Sequence, residues 1–527
     1  MEEILQHPEI INPYRLDIDS SKDMAFVNDL GIETFLDPVP FYSQDTRQLA
    51  IEILVDLGSN MDTVGYRQEV FNDLISDANL RTNVQKCIMD LSEIQDKVSI
   101  YKGGPSPTRK PTMTKGFNLL RKYRDSINNL PDISSANSMV LKDVNLYFRS
   151  IRESDEFSNL CELVERFENL DGVDFRVFLD GDGSPNKMSA MELAEKKPDS
   201  KKVPTLLQRL LGIGKRGEGQ SLKDYSGLNK LGEIIQEYMD KQFIPAINKY
   251  TDQIKEATRL LEPLDFYAGF ADYFLNLKRR GFDICRPTLL PMEERRIIVR
   301  NARNPLLVEA KFSSRKIVPN DIASNADENM FIITGPNNGG KTTYVKTIGL
   351  IQLLSQKGLF VPAKSADVSF VDGIYTHFIS PDDITKGEGR YRNELRRIKE
   401  IFERATPYSL VILDEPCGGT SYEEGQRQSL ALVDGFHRLG PTTYFTTHMH
   451  LLTKEIDSGR YPAAKNLSVE CMYDGKEITY TYKVQTGAFG KSFGEEIARE
   501  LGLMPDDIKE TVFRRAEKEG YGDKLRE

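Results

Sequence analysis

Tryptophan is absent from the 527 residues, and cysteine occurs only five times, at Cys87, Cys161, Cys285, Cys417 and Cys471. No two cysteines form a C-x-x-C pair, and an odd count fits no closed disulfide framework. Reduced thiols in a cytoplasmic protein are therefore expected. No run of about 18 apolar residues occurs, so no transmembrane helix is expected. The opening Met1-Glu2-Glu3-Ile4 lacks the basic-then-apolar pattern of a secretory leader. A surplus of positive charge is missing too: 70 Lys and Arg stand against 80 Asp and Glu, a net charge of −10. That balance excludes a uniformly basic nucleic-acid coat and leaves local basic patches open.

What is present can build substantial cores. Hydrophobic residues make up 39%, and 26 Phe and 22 Tyr stand in for the missing indole rings. The length suggests two to four domains. In the first half, Asp45–Leu57, Asp62–Ser76, Leu80–Ile100, Phe117–Asn128, Val140–Leu170 and Leu228–Glu262 carry apolar residues at three- and four-residue spacing, which predicts helices. The best strand signal there is Asp174–Leu179, followed by a turn-prone Asp180-Gly181-Asp182-Gly183-Ser184-Pro185. Two polar stretches read as exposed loops. Tyr101–Arg124 holds Lys102, Arg109, Lys110, Lys115, Arg121, Lys122 and Arg124 without an acid, and Lys196–Asp224 is also predominantly basic.

From Arg286 onward the pattern changes. Short β-branched runs (Ile297–Val299, Phe331–Ile333, Leu410–Leu413, Thr443–Phe445) alternate with helical stretches. That order predicts an α/β domain with a mostly parallel sheet and helices on both faces.

Gly335-Pro336-Asn337-Asn338-Gly339-Gly340-Lys341-Thr342 fits the phosphate-loop pattern G-x-x-x-x-G-K-[ST]. An apolar strand runs in and an amphipathic helix, Thr342–Lys357, runs out to Gly358 as its cap. Glycines let successive backbone N–H groups face phosphate oxygens, and the helix N-terminus adds positive potential. Lys341 is expected to reach the β- and γ-phosphates of a nucleotide, and Thr342 to ligate Mg²⁺.

The strand Leu410–Leu413 ends in Asp414-Glu415, 73 residues after Lys341. Such a strand delivers its last residues to the edge of the sheet where ligands of open α/β folds sit. Asp414 is the expected magnesium partner, and Glu415 the group that orients or deprotonates the attacking water. The next strand leads to His448, a candidate hydrogen-bonding sensor of the γ-phosphate.

Taken together these residues resemble the MutS family of mismatch-repair and recombination ATPases. Gly335–Thr343 looks like its G-P-N-x-G-G-K-[ST]. Val318-Pro319-Asn320-Asp321-Ile322 resembles its F-V-P-N-D segment, and Arg303-Asn304-Pro305-Leu306 its R-H-P-x-L. Gln356–Ala363 is similar to Q-x-G-x-[FY]-V-P-A, Ser380–Asp383 to S-x-D-D, and Lys483–Gly487 with Lys491–Gly494 to K-V-x-x-G and [KS]-S-[YF]-G. Asp62–Val70 resembles the core domain's D-x-I-x-x-R-Q-x-x-V. The resemblance implies an α-helical core and lever region followed by an α/β P-loop ATPase domain of the ABC type. Its borders would be 1–116 for the core, 117–285 for levers with a clamp-position insertion at about 173–227, and 286–527 for the ATPase. A helical dimerisation element would begin near 490.

The resemblance further implies a site that binds ATP and Mg²⁺ through Gly335–Thr343 with Val318, Asn320 and Ile322. Asp414 and Thr342 would attend the metal, and Lys341, Glu415 and His448 the chemistry. It also implies a homodimer, with DNA bound without sequence preference through the two basic stretches.

Three departures from the family pattern stand out. Gly389 occupies the position of the signature serine, five residues before Glu394, with Arg390 and Arg392 nearby as substitutes. Pro416-Cys417-Gly418-Gly419 replaces I-G-R-G after Glu415. Only about 40 residues precede the core-like region and the chain stops at Glu527, so a member without mismatch-reading or nuclease domains is expected. Two other readings remain open on sequence. One is a transporter-like or chromosome-structuring ATPase, disfavoured by the lack of an L-S-G-G-Q segment. The other is a nucleotide-gated scaffold for a protein partner.

Overall fold

The computed structural model describes residues 20–43, 46–57, 61–102, 113–130, 133–179, 185–195, 226–309, 317–378, 390–473, 478–488 and 498–522. These fall into two compact units. One draws its described residues from Pro40–Leu49 and Glu69–Ala271, the other from 20–39, Ala50–Gln68 and Asp272–Glu527. This division follows packing, whereas borders at 116 and 285 follow family likeness; they are different partitions of the chain.

The first unit is mainly helical. Helix Met113–Asn128 turns Phe117, Leu119, Leu120, Tyr123 and Ile127 inward. The rings of Tyr123 and Phe157 meet edge-on at 6.4 Å. The single helical pattern over Val140–Leu170 is two helices, Met139–Arg152 and Asp155–Glu168. Ser154 makes the break: its Oγ accepts the N–H of Phe157 at 3.1 Å, and Asp155 and Glu156 favour a new N-terminus.

The first basic stretch is not a loop where it is described. Lys102 ends helix Ala78–Lys102, and Lys115, Arg121, Lys122 and Arg124 lie on Met113–Asn128. Arg124 grips Glu168 through Nη1 and Nη2, at 2.8 and 3.1 Å. Lys122 pairs with Glu93, and Arg121 lies 5.8 Å over the Phe117 ring. Arg121, Lys122 and Arg124 are the half-buried polar side of a helix that composition alone reads as a polar loop. Residues 103–112 and the second basic stretch, 196–224, lie outside the described residues.

Strands β1 (Leu170–Leu179) and β2 (Pro185–Glu195) form an antiparallel hairpin. The strand expected over Asp174–Leu179 lies in β1. β2 was hidden because its Met, Ala, Glu and Leu are helix formers individually, and cross-strand pairing overrides that preference. The helical pattern Leu228–Glu262 extends into one 54-residue helix, Ser226–Arg279, that passes through Pro245 and Pro263. Its Asp265, fully buried, accepts the N–H groups of Tyr42 (3.0 Å) and Ser43 (2.8 Å) and the Thr46 hydroxyl (2.6 Å).

The second unit holds two sheets. β3 (Thr288–Leu290), β4 (Ile297–Ala302), β5 (Asn320–Ser324), β6 (Met330–Thr334), β7 (Ser365–Ser369), β8 (Ile374–His377), β9 (Leu410–Asp414), β10 (Thr442–Thr446), β11 (Ala464–Tyr473) and β12 (Ile478–Thr486) supply them. The larger sheet runs β12-β11-β6-β10-β9-β8, parallel throughout except where β12 turns back on β11. The smaller, β3-β7-β4-β5, mixes parallel and antiparallel pairs and was not anticipated.

The central strands are buried on both faces, which explains their unbroken apolar runs. Met330, Ile332, Val411, Leu413 and Phe445 meet helices Arg390–Arg404, Tyr422–Leu439 and His450–Asp457. On the other face Phe331 stacks on Tyr444, 4.9 Å between ring centres, and Ile412 meets helix Lys341–Gln356 at Gly349. Helix Ser20–Leu30 covers that helix in turn: a Cβ on Gly349 would stand 2.6 Å from Leu30 Cδ2.

A candidate nucleotide site at the edge of the parallel sheet

β6 ends at Thr334 and the chain turns through Gly335–Gly340 into helix Lys341–Gln356. Three residues of that turn have positive φ: Gly335 (148°), Asn338 (62°) and Gly340 (100°). A side chain at Gly335 would meet Val469 Cβ at 3.1 Å, and one at Gly339 would meet the Pro336 carbonyl at 3.0 Å. The loop is thus shaped by close backbone approach as well as by conformational freedom.

Lys341 is 5% exposed. Its ammonium donates to the carbonyls of Gly335 (3.0 Å) and Pro336 (3.3 Å), and lies 3.6 Å from Glu415 Oε1 and 3.3 Å from His448 Nε2. Burial pulls its pKa down, and the charges of Glu415 and Asp414 oppose that.

Asp414, the last residue of β9, accepts the Thr342 hydroxyl at 2.8 Å and the Thr446 hydroxyl at 2.7 Å. Burial raises its pKa against those two hydrogen bonds. Thr446 is a site residue that sequence reading missed. The available signal was register: β9 and β10 are parallel neighbours, and Thr446 pairs with Asp414 at their common end. Glu415 follows with φ 51°, its N–H donating to the Thr446 hydroxyl (3.0 Å) and carbonyl (3.2 Å). Its carboxylate lies 2.7 Å from His448 Nε2. That contact, more than the nearby Lys341, holds the Glu415 pKa below the usual glutamate value.

A cleft of about 870 Å³ opens beside these groups. Pro336, Asn337, Asn338, Gly340, Lys341, Thr342, Thr343, Asp414 and Glu415 line it, as do Val318 and Asn320. Ile322 does not: it shares the face of Asn320 on β5 but lies two residues farther in, fully buried. Tyr482 also lines the cleft and was missed, although the K-V-Q-T-G likeness begins at the next residue. It holds φ 57°. Its carbonyl accepts from Asn320 Nδ2, while Asn320 Oδ1 accepts the Val484 N–H, both at 2.9 Å.

Asn304, from the Arg303–Leu306 segment, ties the wall to the loop by donating to the Thr343 carbonyl at 3.0 Å. Among the described residues no cluster of three or more His, Cys, Asp or Glu forms a ready metal cage. Gly389, Ser380–Asp383 and Lys491–Gly494 lie outside the described residues. Arg390 and Arg392 begin helix Arg390–Arg404, with Arg392 exposed.

Residues 331–518 match the family profile described as MutS domain V. The "DNA mismatch repair protein MutS" of Petrotoga mobilis is 27% identical over 512 residues, which is 89% of this chain and 60% of that protein. Its C-terminal part is thus similar to MutS domain V, and likeness to MutS proteins runs along most of the chain. The MutS proteins of Fervidobacterium nodosum and Caldicellulosiruptor bescii are 34% and 37% identical over 279 and 226 residues. Those two matches cover 53% and 42% of this chain, and 32% and 25% of the relatives. The alignment thus spans three fifths of the first MutS relative and a third or less of the other two. No described helix is long and apolar enough to cross a membrane.

Proposed function

We propose that this chain is a MutS-family ATPase that couples Mg·ATP binding and hydrolysis to a grip on DNA. One observation carries the reading. Lys341, Thr342, Asp414, Glu415 and His448 converge within hydrogen-bonding or ion-pair distance at one edge of the parallel sheet, beside the cleft.

The residues suit the groups they would hold. At Gly335 and Gly339 the loop leaves no room for a side chain, so a phosphate chain could lie against backbone N–H groups. Thr342 and Asp414 share a hydrogen bond at the mouth of the loop, a hydroxyl and one carboxylate. That is the sparse donor set typical of magnesium, which keeps water and phosphate oxygens for its remaining positions. Bound there, the ion would offset charge on the β- and γ-phosphate oxygens. Lys341 would exchange its carbonyl partners for phosphate. Glu415, ionised and aimed by His448, would orient the attacking water and take its proton. Tyr482, Val318 and Asn320 would bound the base and sugar.

The family's core, lever and ATPase partition, the ABC-type assignment of the domain and a homodimer belong to the same proposal. Leu501, Leu503, Ile508, Val512 and Phe513, around helix Pro505–Glu519, expose their apolar side chains, which supports a partner surface there. DNA as ligand rests on the relatives' names. The bases of Met113–Asn128 give it little support, since Lys122 and Arg124 are paired with acids.

Phosphate release from Mg·ATP, with and without duplex, mismatched and four-way DNA, tests the reading. Gel shifts with the same DNAs accompany it. Nucleotide-dependent DNA retention supports the proposal, and absence of any Mg·ATP affinity would sink it.

A further inference from the structure

The backbone leaving Glu415 follows an unusual course. Glu415 and Cys417 both have positive φ, 51° and 64°, on either side of Pro416. Left-handed backbone is unfavourable for residues with a Cβ and persists only where surrounding contacts hold it.

One side chain is placed to do so. Glu394 is 7% exposed and its Oε1 accepts the N–H of Cys417. The same oxygen lies 3.5 Å from Nε2 of buried His377. Its other oxygen faces Gly419, where an added Cβ would stand 3.1 Å away. Glu394 sits on helix Arg390–Arg404, which is itself fastened one turn later. There Arg397 donates to Asp29 at 2.7 Å, and Asp29 also accepts the Thr376 hydroxyl at 2.7 Å.

We infer that Glu394 is a positioning residue: its buried carboxylate fixes Cys417 and so aims Glu415 at the cleft. The inference rests on the ATPase reading, because it concerns how well the proposed base is aimed. A charge-assisted bond to a buried N–H is strong and directional. A displacement of about 1 Å at a reacting group can lower a rate about 100-fold.

The test uses the full chain and three variants, Glu394→Ala, Glu394→Gln and Gly419→Ala. Steady-state phosphate release gives kcat and KM, and a fluorescent ATP analogue gives affinity. Glu394→Ala should lower kcat by about 10-fold or more, while KM and analogue affinity stay within about 3-fold. Glu394→Gln, whose amide oxygen still accepts from Cys417, should recover most of the rate. Gly419→Ala, at an exposed position, should lower kcat to an intermediate level by pushing on the Glu394 carboxylate. It also decides the matter if Glu394→Ala does not fold. Unchanged kcat in Gly419→Ala, equal impairment of the Ala and Gln variants, or parallel loss of affinity and rate would overturn the inference. An unmodified chain that neither binds nor hydrolyses Mg·ATP would instead overturn the ATPase reading.

Discussion

Nε2 of His448 stands 2.7 Å from Oε1 of Glu415, closer than Lys341 at 3.6 Å. The hydrogen bond is the largest of the influences that lower the Glu415 pKa, and burial opposes it. A carboxylate lowered in the folded protein keeps its contribution above its ordinary pKa and loses it as pH falls through the lowered value. If Glu415 is the base, His448→Ala therefore moves the acidic limb of the kcat–pH profile upward, toward or past the ordinary glutamate value. A limb that stays in place, measured across pH 4 to 8 at saturating Mg·ATP, would detach His448 from the base.

Lys341 is buried, and among the described residues two loop carbonyls, His448 and Glu415 surround its ammonium. Lys341→Ala should reduce affinity for an ATP analogue by about 100-fold, the weight of a desolvated charge contact. Equilibrium titration checks it, and retained affinity would move the phosphate site elsewhere.

Glu415→Gln keeps the shape of the side chain but not its charge. Nucleotide affinity should remain within about 3-fold while turnover falls by about 100-fold or more, the span expected of a lost general base. Single-turnover quench experiments separate binding from chemistry. Turnover equal to that of the unmodified chain would remove Glu415 from the base role.

Gly358 ends helix Lys341–Gln356 with φ 74°, and a Cβ there would stand 2.7 Å from Arg67 Cβ and 2.9 Å from Gln68 N. Gly358→Ala combines a left-handed alanine with a backbone clash, so it should destabilise the fold by about 2 kcal/mol or more. Denaturant titration reads this directly, and a change under about 0.5 kcal/mol would show that the turn relaxes freely.

The strand, glycine turn and helix around Gly335–Lys341, and the acids at the end of β9, were legible as structure because they depend on local chemistry: a strand, a turn and fixed residue types within a few positions. β2 was not legible, because pairing with β1 decides it and the segment alone favours helix. The basic run over 101–124 misled for a similar reason. Its described part includes Arg121, Lys122 and Arg124 on a helix that buries Phe117, Leu120 and Tyr123. Thr446, Tyr482 and Glu394 needed the folded chain, since they meet their partners across 32, 162 and 23 residues. Ile322 has its side chain in the core, a placement that motif likeness alone could not convey.

The second unit, which carries the proposed nucleotide site, is discontinuous in sequence. Leu30 seats against Gly349, and Asp29 against Thr376 and Arg397, more than 300 residues downstream. On the ribosome, the early segment emerges long before its partners exist and must wait exposed or shielded by other proteins. Closure of this core is thus a late, non-local event, and contacts of such separation slow folding and expose apolar surface meanwhile. A fragment cut at Arg286 would strip Arg397 of its buried acceptor and bare the outer side of the phosphate-loop helix. Expression of the second unit by itself therefore calls for residues 20–39 and Ala50–Gln68 supplied in cis or as separate peptides.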